Sequence, residues 1–380
     1  MAADLQGSLV VFAPTRQAAS ETFIRANLAG LPFRIRAWFG DERPLDQPLR
    51  WLYGSAILLS KLLTRLRLLR LAGVPAALVA WLLLRLDPPD VVLAEFGFEA
   101  VRVMEACRWS GVPLVVHFRG SDASARNRIG LLEERYRRLL RLAGGVIVKS
   151  ERMACRLEEL GAERQRIQIS PSGANPALFQ GSQPCQSPPL FLAVGRFVAK
   201  KGPLLTIRAF AQLVSEQPTP GLALWMVGDG PLLPAAKTLV EQLGLMASVR
   251  FFGQCSQSEV AGLMRQVRGF VQHSVVAPDG DSEGNPVAVM EAQLSGLPVI
   301  ATRHAGIPEV VVDGVTGVLV AEGDVEAMAN AMLTLLEKPM LAQQFGQAGQ
   351  KRAREHFTVE HHLRDVTELL LRVGASSREQ

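Results

Sequence analysis

Two glutamates flank the predicted start of a helix in the second half of the chain. Glu283 lies in the loop ahead of this start, and Glu291 lies on the second turn. Asn285 can cap the helix with Pro286 as its first residue, because the φ angle of proline is already helical. The free N–H groups and positive dipole end of a helix start attract phosphate, which leaves the two carboxylates for hydroxyl groups. The pattern indicates a sugar nucleotide, whereas two solvated acids near a helix start are the competing interpretation.

The residues around this helix form a dense, ordered motif. Its parts are residues 282–286 (Ser-Glu-Gly-Asn-Pro), 291–292 (Glu-Ala), 296–302 (Gly-Leu-Pro-Val-Ile-Ala-Thr) and 306–310 (Gly-Ile-Pro-Glu-Val). The motif resembles that of retaining glycosyltransferases with the GT-B fold, and specifically of glycosyltransferase family 4. This resemblance implies an α/β chain of two Rossmann-like, doubly wound domains that face a cleft. It also implies transfer of a sugar from a nucleotide-diphosphate sugar.

The resemblance assigns roles to the residues of this motif. By likeness to the family, Glu291 holds the ribose, and Glu283 lies near the transferred sugar and its phosphate. The other donor-binding residues expected in this loop and helix start are Gly284, Asn285, Pro286 and Val287.

Two cations follow the predicted strand 190–194. The resemblance assigns Arg196 and Lys201 to the donor diphosphate, with Lys200 as the alternative to Lys201. Their charges would neutralise the charge that gathers on the departing diphosphate. A solvated basic turn is the competing interpretation.

Glycine turns at Gly228, Gly230 and Gly253 resemble the nucleotide-side loops of the family. None forms the Gly-x-Gly-x-x-Gly fingerprint, so a hydride-transfer cofactor has no support. Asp279 and Asp281 superficially resemble an Asp-x-Asp metal site. Because GT-B enzymes generally need no metal, we expect these aspartates to be structural. We therefore expect no cofactor, only a UDP- or GDP-linked donor substrate.

Polar residues also follow two predicted strands in the first half, 91–94 and 114–116. Ligands of open α/β sheets bind at this carboxyl edge. Many relatives carry a donor-contacting histidine where this chain has Arg119, so Arg119 is a candidate for stabilising phosphate charge or positioning the sugar. If this segment is still strand, His117 is expected on its opposite face. His117 is a second candidate for the role of that histidine, with a structural role as its alternative, and Asp122 is expected to act with Arg119. Glu95 lies where some relatives have a histidine, which indicates a different acceptor.

Residues 20–23 (Ser-Glu-Thr-Phe) follow the first predicted strand and loop. This tetrapeptide resembles the subset of the family that builds exopolysaccharide repeat units. Glu21 is accordingly a candidate binding residue, and an ordinary acid in the first turn of a helix is the alternative.

The positive charge of the chain is concentrated in its first half. Residues 1–180 hold 25 basic and 17 acidic side chains, against 16 and 19 in the remainder. A basic motif with interleaved aromatic residues would indicate nucleic acid, and the sequence has none. We therefore predict an anionic membrane surface as the partner. The leucine-rich segment 51–86, with Trp51, Tyr53 and Trp81, has the composition of an interfacial amphipathic element. A pair of core helices with solvated arginines is the alternative.

No stretch reaches the ~20 apolar residues that a spanning helix needs, and no signal-peptide pattern is present. We therefore expect a cytoplasmic protein that is peripheral to the inner face of the membrane.

The length fits two α/β domains. We predict an acceptor-side domain at 1–180, a nucleotide-sugar-binding domain at 181–357, and a final helix at 358–373 that packs back on the first domain. The segment 180–189 is the predicted hinge.

The expected activity is retaining transfer of a sugar to a glycan or a polyprenyl-diphosphate-linked oligosaccharide, in exopolysaccharide or cell-surface polysaccharide synthesis. Two alternatives are another GT-B enzyme, such as an epimerase or phosphorylase, and a non-catalytic sugar-nucleotide-binding partner of a polysaccharide assembly. Fold resemblance alone does not define the substrate.

Overall fold

A computed structural model describes residues 5–15, 22–40, 48–68 and 71–376. The chain forms two compact units. The first contains the residues up to Ser170 together with those from His362 onward, and the second is Pro171–His361. The predicted hinge, residues 180–189, lies inside the second unit.

The first unit is built on a parallel sheet with the strand order β2-β1-β3-β4-β5-β6. Its strands are β1 (Ser8–Ala13), β2 (Arg34–Phe39), β3 (Val91–Glu95), β4 (Leu114–His117), β5 (Gly145–Val148) and β6 (Ile167–Ile169). Its first seven helices are α1 (Thr22–Gly30), α2 (Pro48–Arg65), α3 (Val74–Leu86), α4 (Gly97–Ser110), α5 (Ser121–Ser124), α6 (Arg126–Leu142) and α7 (Glu151–Glu159). The order reverses between β1 and β3, which makes the carboxyl ends of these strands a ligand-binding position.

The strands of this sheet are nearly continuous apolar runs because both faces are covered. Val10 and Phe12 of β1 pack into the core shared with α2, α3, α4 and α6. Their neighbours Leu9 and Val11 pack into a second core on the opposite face. This alternation follows from the two-residue period of a strand.

The second unit has a parallel sheet with the order β12-β11-β10-β7-β8-β9. Its strands are β7 (Leu190–Val194), β8 (Ala223–Val227), β9 (Val249–Gly253), β10 (Gly269–Gln272), β11 (Val299–Thr302) and β12 (Gly317–Val320). Its helices are α8 (Pro203–Glu216), α9 (Leu233–Gln242), α10 (Gln257–Met264), α11 (Val287–Ser295), α12 (Ile307–Val310), α13 (Val325–Glu337) and α14 (Pro339–His356). The strand order reverses between β7 and β10, as in the dinucleotide-binding fold.

The last helix, α15 (Val359–Ser376), completes the first unit from His362 onward. Val366, Leu369 and Leu370 are buried in the same core as Leu9 and Leu93. The helix therefore covers one face of the first sheet with residues that are distant from it in sequence.

These two sheets confirm the predicted fold class of two Rossmann-like, doubly wound α/β domains. The predicted start of the helix in the central motif is wrong. Pro286, not Asn285, is the residue before α11, since its ψ of 118° is extended and the helix begins at Val287 without a side-chain cap.

Segment 51–86 forms α2 and α3, each of which has one buried side and one side with exposed apolar residues. Tyr53 and Ile57 are fully buried, as are Ala76 and Ala80, so one side of each helix belongs to the core. Twelve of the 23 large apolar side chains that are exposed in the described residues nevertheless lie between Trp51 and Leu86. Among the described residues, none of the helices has the combination of length and apolar character needed to cross a bilayer.

Candidate active site

The switch point of the second sheet brings together the loops that carry the predicted donor-binding residues. The loop after β7 contains Arg196 and Lys201, and the loop after β10 contains Glu283. Gly202 makes their approach possible, because it has a φ of +53° and a Cβ there would lie 1.9 Å from the His273 carbonyl oxygen. The chain can therefore start α8 directly against the end of β10 only with glycine at this position.

Two ion pairs join these loops. Lys201 Nζ lies 3.0 Å from Glu283 Oε1, which links two residues predicted to act on the donor. Lys200 Nζ lies 3.1 Å from Asp281 Oδ1 and 3.2 Å from the Ser282 carbonyl oxygen. Lys200 is buried and holds the loop in place, so Lys201 is the better candidate for contact with a ligand. Asp281 serves this loop contact, in line with the structural role expected for it.

The Glu283 carboxylate is held in its ionised form. Burial alone would raise its pKa, and the positive charges of Lys201 and Lys200 more than offset this, so the pKa of Glu283 lies below its usual value. The backbone N–H of Glu283 donates to His304 Nε2 at 3.1 Å, and His304 Nδ1 lies 2.6 Å from Glu322 Oε1. Because Nε2 accepts a hydrogen bond, Nδ1 carries the proton of the neutral ring and donates a hydrogen bond to Glu322.

Glu291 has the opposite electrostatic environment. It is buried on the second turn of α11, and burial raises the pKa of its carboxyl group to about 7. The hydrogen bond from Gln257 Nε2, at 3.3 Å, and the charge of Lys201 lower this pKa only in part. The carboxyl group is thus poised to change charge near neutral pH, a property that is enriched at functional sites.

Arg196 is exposed, and in the described residues its guanidinium forms no hydrogen bond or ion pair, while its backbone carbonyl accepts from the Val198 N–H at 2.9 Å. It lines a small cavity together with Lys201. This guanidinium is available for an anionic ligand, and its fork of N–H donors suits phosphate oxygens.

The glycine turns at the same sheet edge are explained by close backbone packing. Gly228 has a φ of +132°, and a Cβ there would lie 2.0 Å from the Gly195 carbonyl oxygen. Gly230 has a φ of +153°, and its Cβ would lie 2.6 Å from the Phe197 carbonyl oxygen. The Gly228 N–H donates to the Gly253 carbonyl at 2.7 Å. These turns let the loop after β8 support the loop that carries Arg196.

The remaining residues of the central motif lie around the start of α11. Gly284, Asn285 and Pro286 are buried, and Val287 is half-buried. The Gly284 carbonyl accepts from the Gly306 N–H at 3.2 Å, which fixes this loop to the loop after β11.

In the first unit, the ends of β3 and β4 meet at a buried carboxylate. Glu95 Oε2 accepts from Arg119 Nε at 2.9 Å and from Arg119 Nη2 at 2.7 Å, and His117 Nδ1 lies 3.4 Å from the same oxygen. The prediction that His117 and Arg119 lie on opposite faces is wrong, because residues two apart in extended backbone point to the same side. The Arg119 side chain is 3% exposed, and its charge is balanced by Glu95.

A chain of hydrogen bonds links this carboxylate to α15. Asn27 Nδ2 donates to Glu95 Oε1 at 2.7 Å, and Asn27 Oδ1 lies 3.2 Å from His362 Nε2. Since the amide oxygen can only accept, His362 Nε2 donates, and its Nδ1 accepts from Ser170 Oγ at 2.7 Å. Burial, reinforced by Arg119, lowers the pKa of His117 far below its usual value, so this histidine is neutral.

Lys149 adds a buried amine at this edge. It directly follows β5, and its Nζ donates to the Ser170 carbonyl at 3.1 Å. Burial and the charge of Arg119 lower the pKa of Lys149 well below its usual value. A lysine after a short buried strand is a signal that sequence inspection could have detected.

Asp122 organises the loop after β4. Its Oδ1 accepts from the N–H groups of Arg119 and Gly120 at 3.0 and 2.9 Å, and its Oδ2 accepts from the Gly97 N–H at 2.9 Å. Phe96, between Glu95 and Gly97, has a φ of +75°, which is strained for a bulky residue. Strain of this kind gathers at functional sites. Glu21 lies outside the described residues.

Two family models match overlapping stretches of the chain. Glycosyltransferase Family 4 matches residues 33–178, and Glycosyl transferases group 1 matches residues 175–352. Together they include both sheet edges described above.

Curated relatives agree with these models. The WcaL glycosyltransferase of Escherichia coli (strain K12), assigned to colanic acid biosynthesis, is 34% identical over 282 residues, which are 72% of this chain and 66% of WcaL. The amylovoran biosynthesis glycosyltransferase AmsK of Erwinia amylovora is 30% identical over 251 residues, 65% of this chain and 61% of AmsK. The matched stretch thus spans slightly under two thirds of the length of these relatives.

Solved structures show the same fold over nearly the whole chain. Anabaena Alr3699/HepE in complex with UDP and glucose superposes with a TM-score of 0.72 at 18% identity, covering 96% of this chain and 99% of that one. The sucrose-phosphate synthase of Thermosynechococcus elongatus gives a TM-score of 0.76 at 17% identity, covering 97% and 100%. The family models, the relatives and the shared fold agree with the motif around Glu283 and Glu291, and the chain belongs to glycosyltransferase family 4 with the GT-B fold.

Proposed function

We propose that this chain is a retaining glycosyltransferase that moves a sugar from a nucleotide-diphosphate sugar to a hydroxyl group of a glycan or of a polyprenyl-diphosphate-linked oligosaccharide. The observation that carries the proposal is the set of groups at the switch point of the second sheet, where Lys201 is paired with Glu283 beside the exposed Arg196. The names of the relatives support a place in exopolysaccharide or other cell-surface polysaccharide synthesis.

The proposed reaction is a front-face displacement. The bond between the anomeric carbon and the diphosphate oxygen breaks, and the acceptor oxygen forms the new bond on the same face. The acceptor hydroxyl gives its proton to an oxygen of the departing diphosphate, so no protein base is needed. Arg196 and Lys201 stabilise the negative charge that develops on this diphosphate, and electrostatic stabilisation of this kind is usually the largest contribution to the rate.

The two glutamates bind different parts of the donor. Glu283, ionised beside Lys201, binds hydroxyl groups of the transferred sugar. Glu291 binds the ribose hydroxyl groups of the nucleotide. The donor is a UDP- or GDP-linked sugar, and we propose no metal or additional cofactor.

The exposed apolar side chains of α2 and α3 suit an anionic membrane surface. Lys61, Arg65 and Arg67 lie among leucines that are about half exposed, including Leu62 and Leu66. Apolar insertion together with attraction of basic side chains to anionic lipid is how interfacial helices bind. We propose that the enzyme acts as a peripheral protein at the cytoplasmic face of the membrane.

The donor is identified by a thermal-shift screen of UDP- and GDP-sugars, followed by transfer assays with membrane extract as the acceptor source. Lys201→Ala and Glu291→Ala should each lower the transfer rate at least tenfold. Lys237→Ala and Glu241→Ala are matched controls, since both side chains are exposed in α9 of the same unit and far from the ion-paired loops in sequence. Unchanged transfer in both site variants would overturn the assignment.

Two alternatives are separated by the same assay. Arg119 occupies the position of the usual donor-contacting histidine, and its charge is balanced by Glu95, which favours a non-catalytic sugar-nucleotide-binding partner. Such a partner binds the donor without turnover, with or without membrane extract. An epimerase or phosphorylase consumes its sugar substrate without extract, whereas the proposed transferase requires the extract.

A further inference from the structure

The first unit contains a groove of about 400 Å³ that the site described above does not use. It lies among α2, α4 and α6, and its lining combines an apolar part with three cations. Phe98, Val101 and Leu132 supply apolar surface, and Lys61, Arg102 and Arg135 supply the charge. No carboxylate is among the lining residues in the described part of the chain.

Arg135 is the least neutralised of these cations. Its Nη2 donates to the Val101 carbonyl at 3.1 Å, and no carboxylate of the described residues lies within ion-pair distance of it. Arg102, in contrast, is paired with Glu99. Burial, with the nearby charge of Arg102, lowers the pKa of Arg135. A half-buried guanidinium whose acceptor among the described residues is a single carbonyl still has donors for an anion.

A second observation indicates a polar ligand in this groove. Ser60 is 3% exposed and lines the groove, and its hydroxyl has no hydrogen-bond partner in the described chain. A buried hydroxyl without a partner costs about 1–3 kcal/mol. Groups of this kind call for an explanation, such as an acceptor oxygen of a bound molecule.

The position of the groove relates it to the candidate site of the same unit. Phe98 and Arg102 lie near the start of α4, which follows Glu95 at the carboxyl end of β3. On α2, the lining residues Ser60 and Lys61 are neighbours of the exposed leucines Leu58, Leu59 and Leu62. The groove is therefore lined by the first half of α4, which follows the ligand edge of the sheet in the chain, and by the part of α2 that carries exposed leucines.

We propose that this groove binds the phosphate-bearing head of a lipid-linked acceptor, with the phosphates at Arg135 and Lys61 and the first carbons of the lipid against Phe98 and Leu132. The inference rests on the proposed function, because it assigns a site to the acceptor of that reaction. The apolar lining and the adjacent exposed leucines favour a lipid over a soluble phosphate.

The test measures direct binding of farnesyl diphosphate, a short and soluble prenyl diphosphate, by titration calorimetry. Arg135→Gln and Lys61→Gln should each weaken binding at least tenfold. Arg137→Gln is the matched control, because Arg137 is exposed on the same helix and paired with Glu133. The control should bind within twofold of the unaltered protein. Thermal unfolding of each variant verifies that it is folded, and Lys61→Gln, at an exposed position, keeps the test decisive if Arg135→Gln is unstable.

Titrations with inorganic diphosphate, which lacks the lipid chain, and with farnesol, which lacks the phosphates, show how much of the affinity each part supplies. Each should bind at least tenfold more weakly than farnesyl diphosphate. Equal binding of inorganic diphosphate would overturn the lipid assignment, and unchanged binding in Arg135→Gln and Lys61→Gln would overturn the groove itself. Donor binding is measured on the same variants and should not change. Normal donor turnover with no farnesyl diphosphate binding would refute this inference alone, whereas absence of donor binding would refute the proposed function.

Discussion

At the scale of single residues, Glu283 and Glu291 are both buried, yet their surroundings shift their pKa values in opposite directions. Lys201 and Lys200 keep the pKa of Glu283 below its usual value, while burial raises the pKa of Glu291 to about 7. Their seven intervening positions do not predict this difference. It arises because the lysines come from a loop about 80 residues earlier in the chain.

Glu291→Gln should change the pH dependence of stability. Between pH 4.5 and 7 the folded protein keeps a proton on Glu291 that the unfolded chain has released. The free energy of unfolding of the unaltered protein therefore falls with rising pH, by up to ~1.4 kcal/mol per pH unit and about 3 kcal/mol in total. Glutamine does not titrate, so the variant should gain stability relative to the parent between pH 5 and 8. Urea unfolding at several pH values measures the difference, and a constant difference would contradict the raised pKa.

Gly202→Ala should disrupt the loop that carries Lys201. The new Cβ would lie 1.9 Å from the His273 carbonyl oxygen in a left-handed backbone, so α8 must move. We expect a loss of more than about 2 kcal/mol of unfolding free energy. Gly244→Ala is the control, since Gly244 has a φ of +68° and nothing within 4 Å of its Cβ. It should lose only about 1 kcal/mol. Equal urea midpoints for the two variants would show that the contact with His273 is unimportant.

At the scale of elements, the sequence predicts strands better than it predicts what their ends contact. Apolar runs ending in polar residues correctly indicated β3, β4 and β7, because buried parallel strands have this composition. The hydrogen bond from Gln257 to Glu291 joins residues 34 positions apart, and no local pattern encodes it. The same holds for His362 and Asn27, which meet only because α15 covers the first sheet. Pro286 was misplaced by one residue because proline is compatible with either side of a helix start.

The pair of helices α2 and α3 should control membrane binding. In Leu62→Asp/Leu66→Asp, two leucines that are 52% and 59% exposed are replaced by charged side chains. Because each buried leucine contributes about 1.5–3 kcal/mol, flotation with vesicles of anionic phospholipid at low salt should fall at least tenfold. Met246→Asp, at a side chain 69% exposed in the second unit, should float like the parent. Failure of the parent to float, or unchanged flotation of the double variant, would refute this role.

At the scale of the whole molecule, each unit has its own sheet and its own apolar cores. The motif of the second unit predicted residues that the structure brings to one sheet edge, since Arg196, Lys201, Glu283 and Glu291 all lie on loops or in the first turns of a helix there, and their roles stay a prediction. The first unit was less predictable. Its candidate residues Glu95, His117 and Arg119 form a buried network whose partners come from four separate segments of the chain.

This division predicts that a nucleotide stabilises one unit selectively. A ligand that binds only the folded second unit stabilises it by RT ln(1 + [L]/Kd), about 2.7 kcal/mol at a hundredfold excess over Kd. Trp225 is the one tryptophan of the second unit, and the other four lie in the first. In Trp225→Phe, urea unfolding followed by tryptophan fluorescence therefore reports on the first unit alone. Its midpoint should not move with saturating UDP or GDP, whichever gives the larger thermal shift. In the parent protein, Trp225 should add a second unfolding transition to the fluorescence curve, and the midpoint of this transition should move to higher urea when the nucleotide is added. An equal shift in both proteins would mean that the units unfold together or that the nucleotide also stabilises the first.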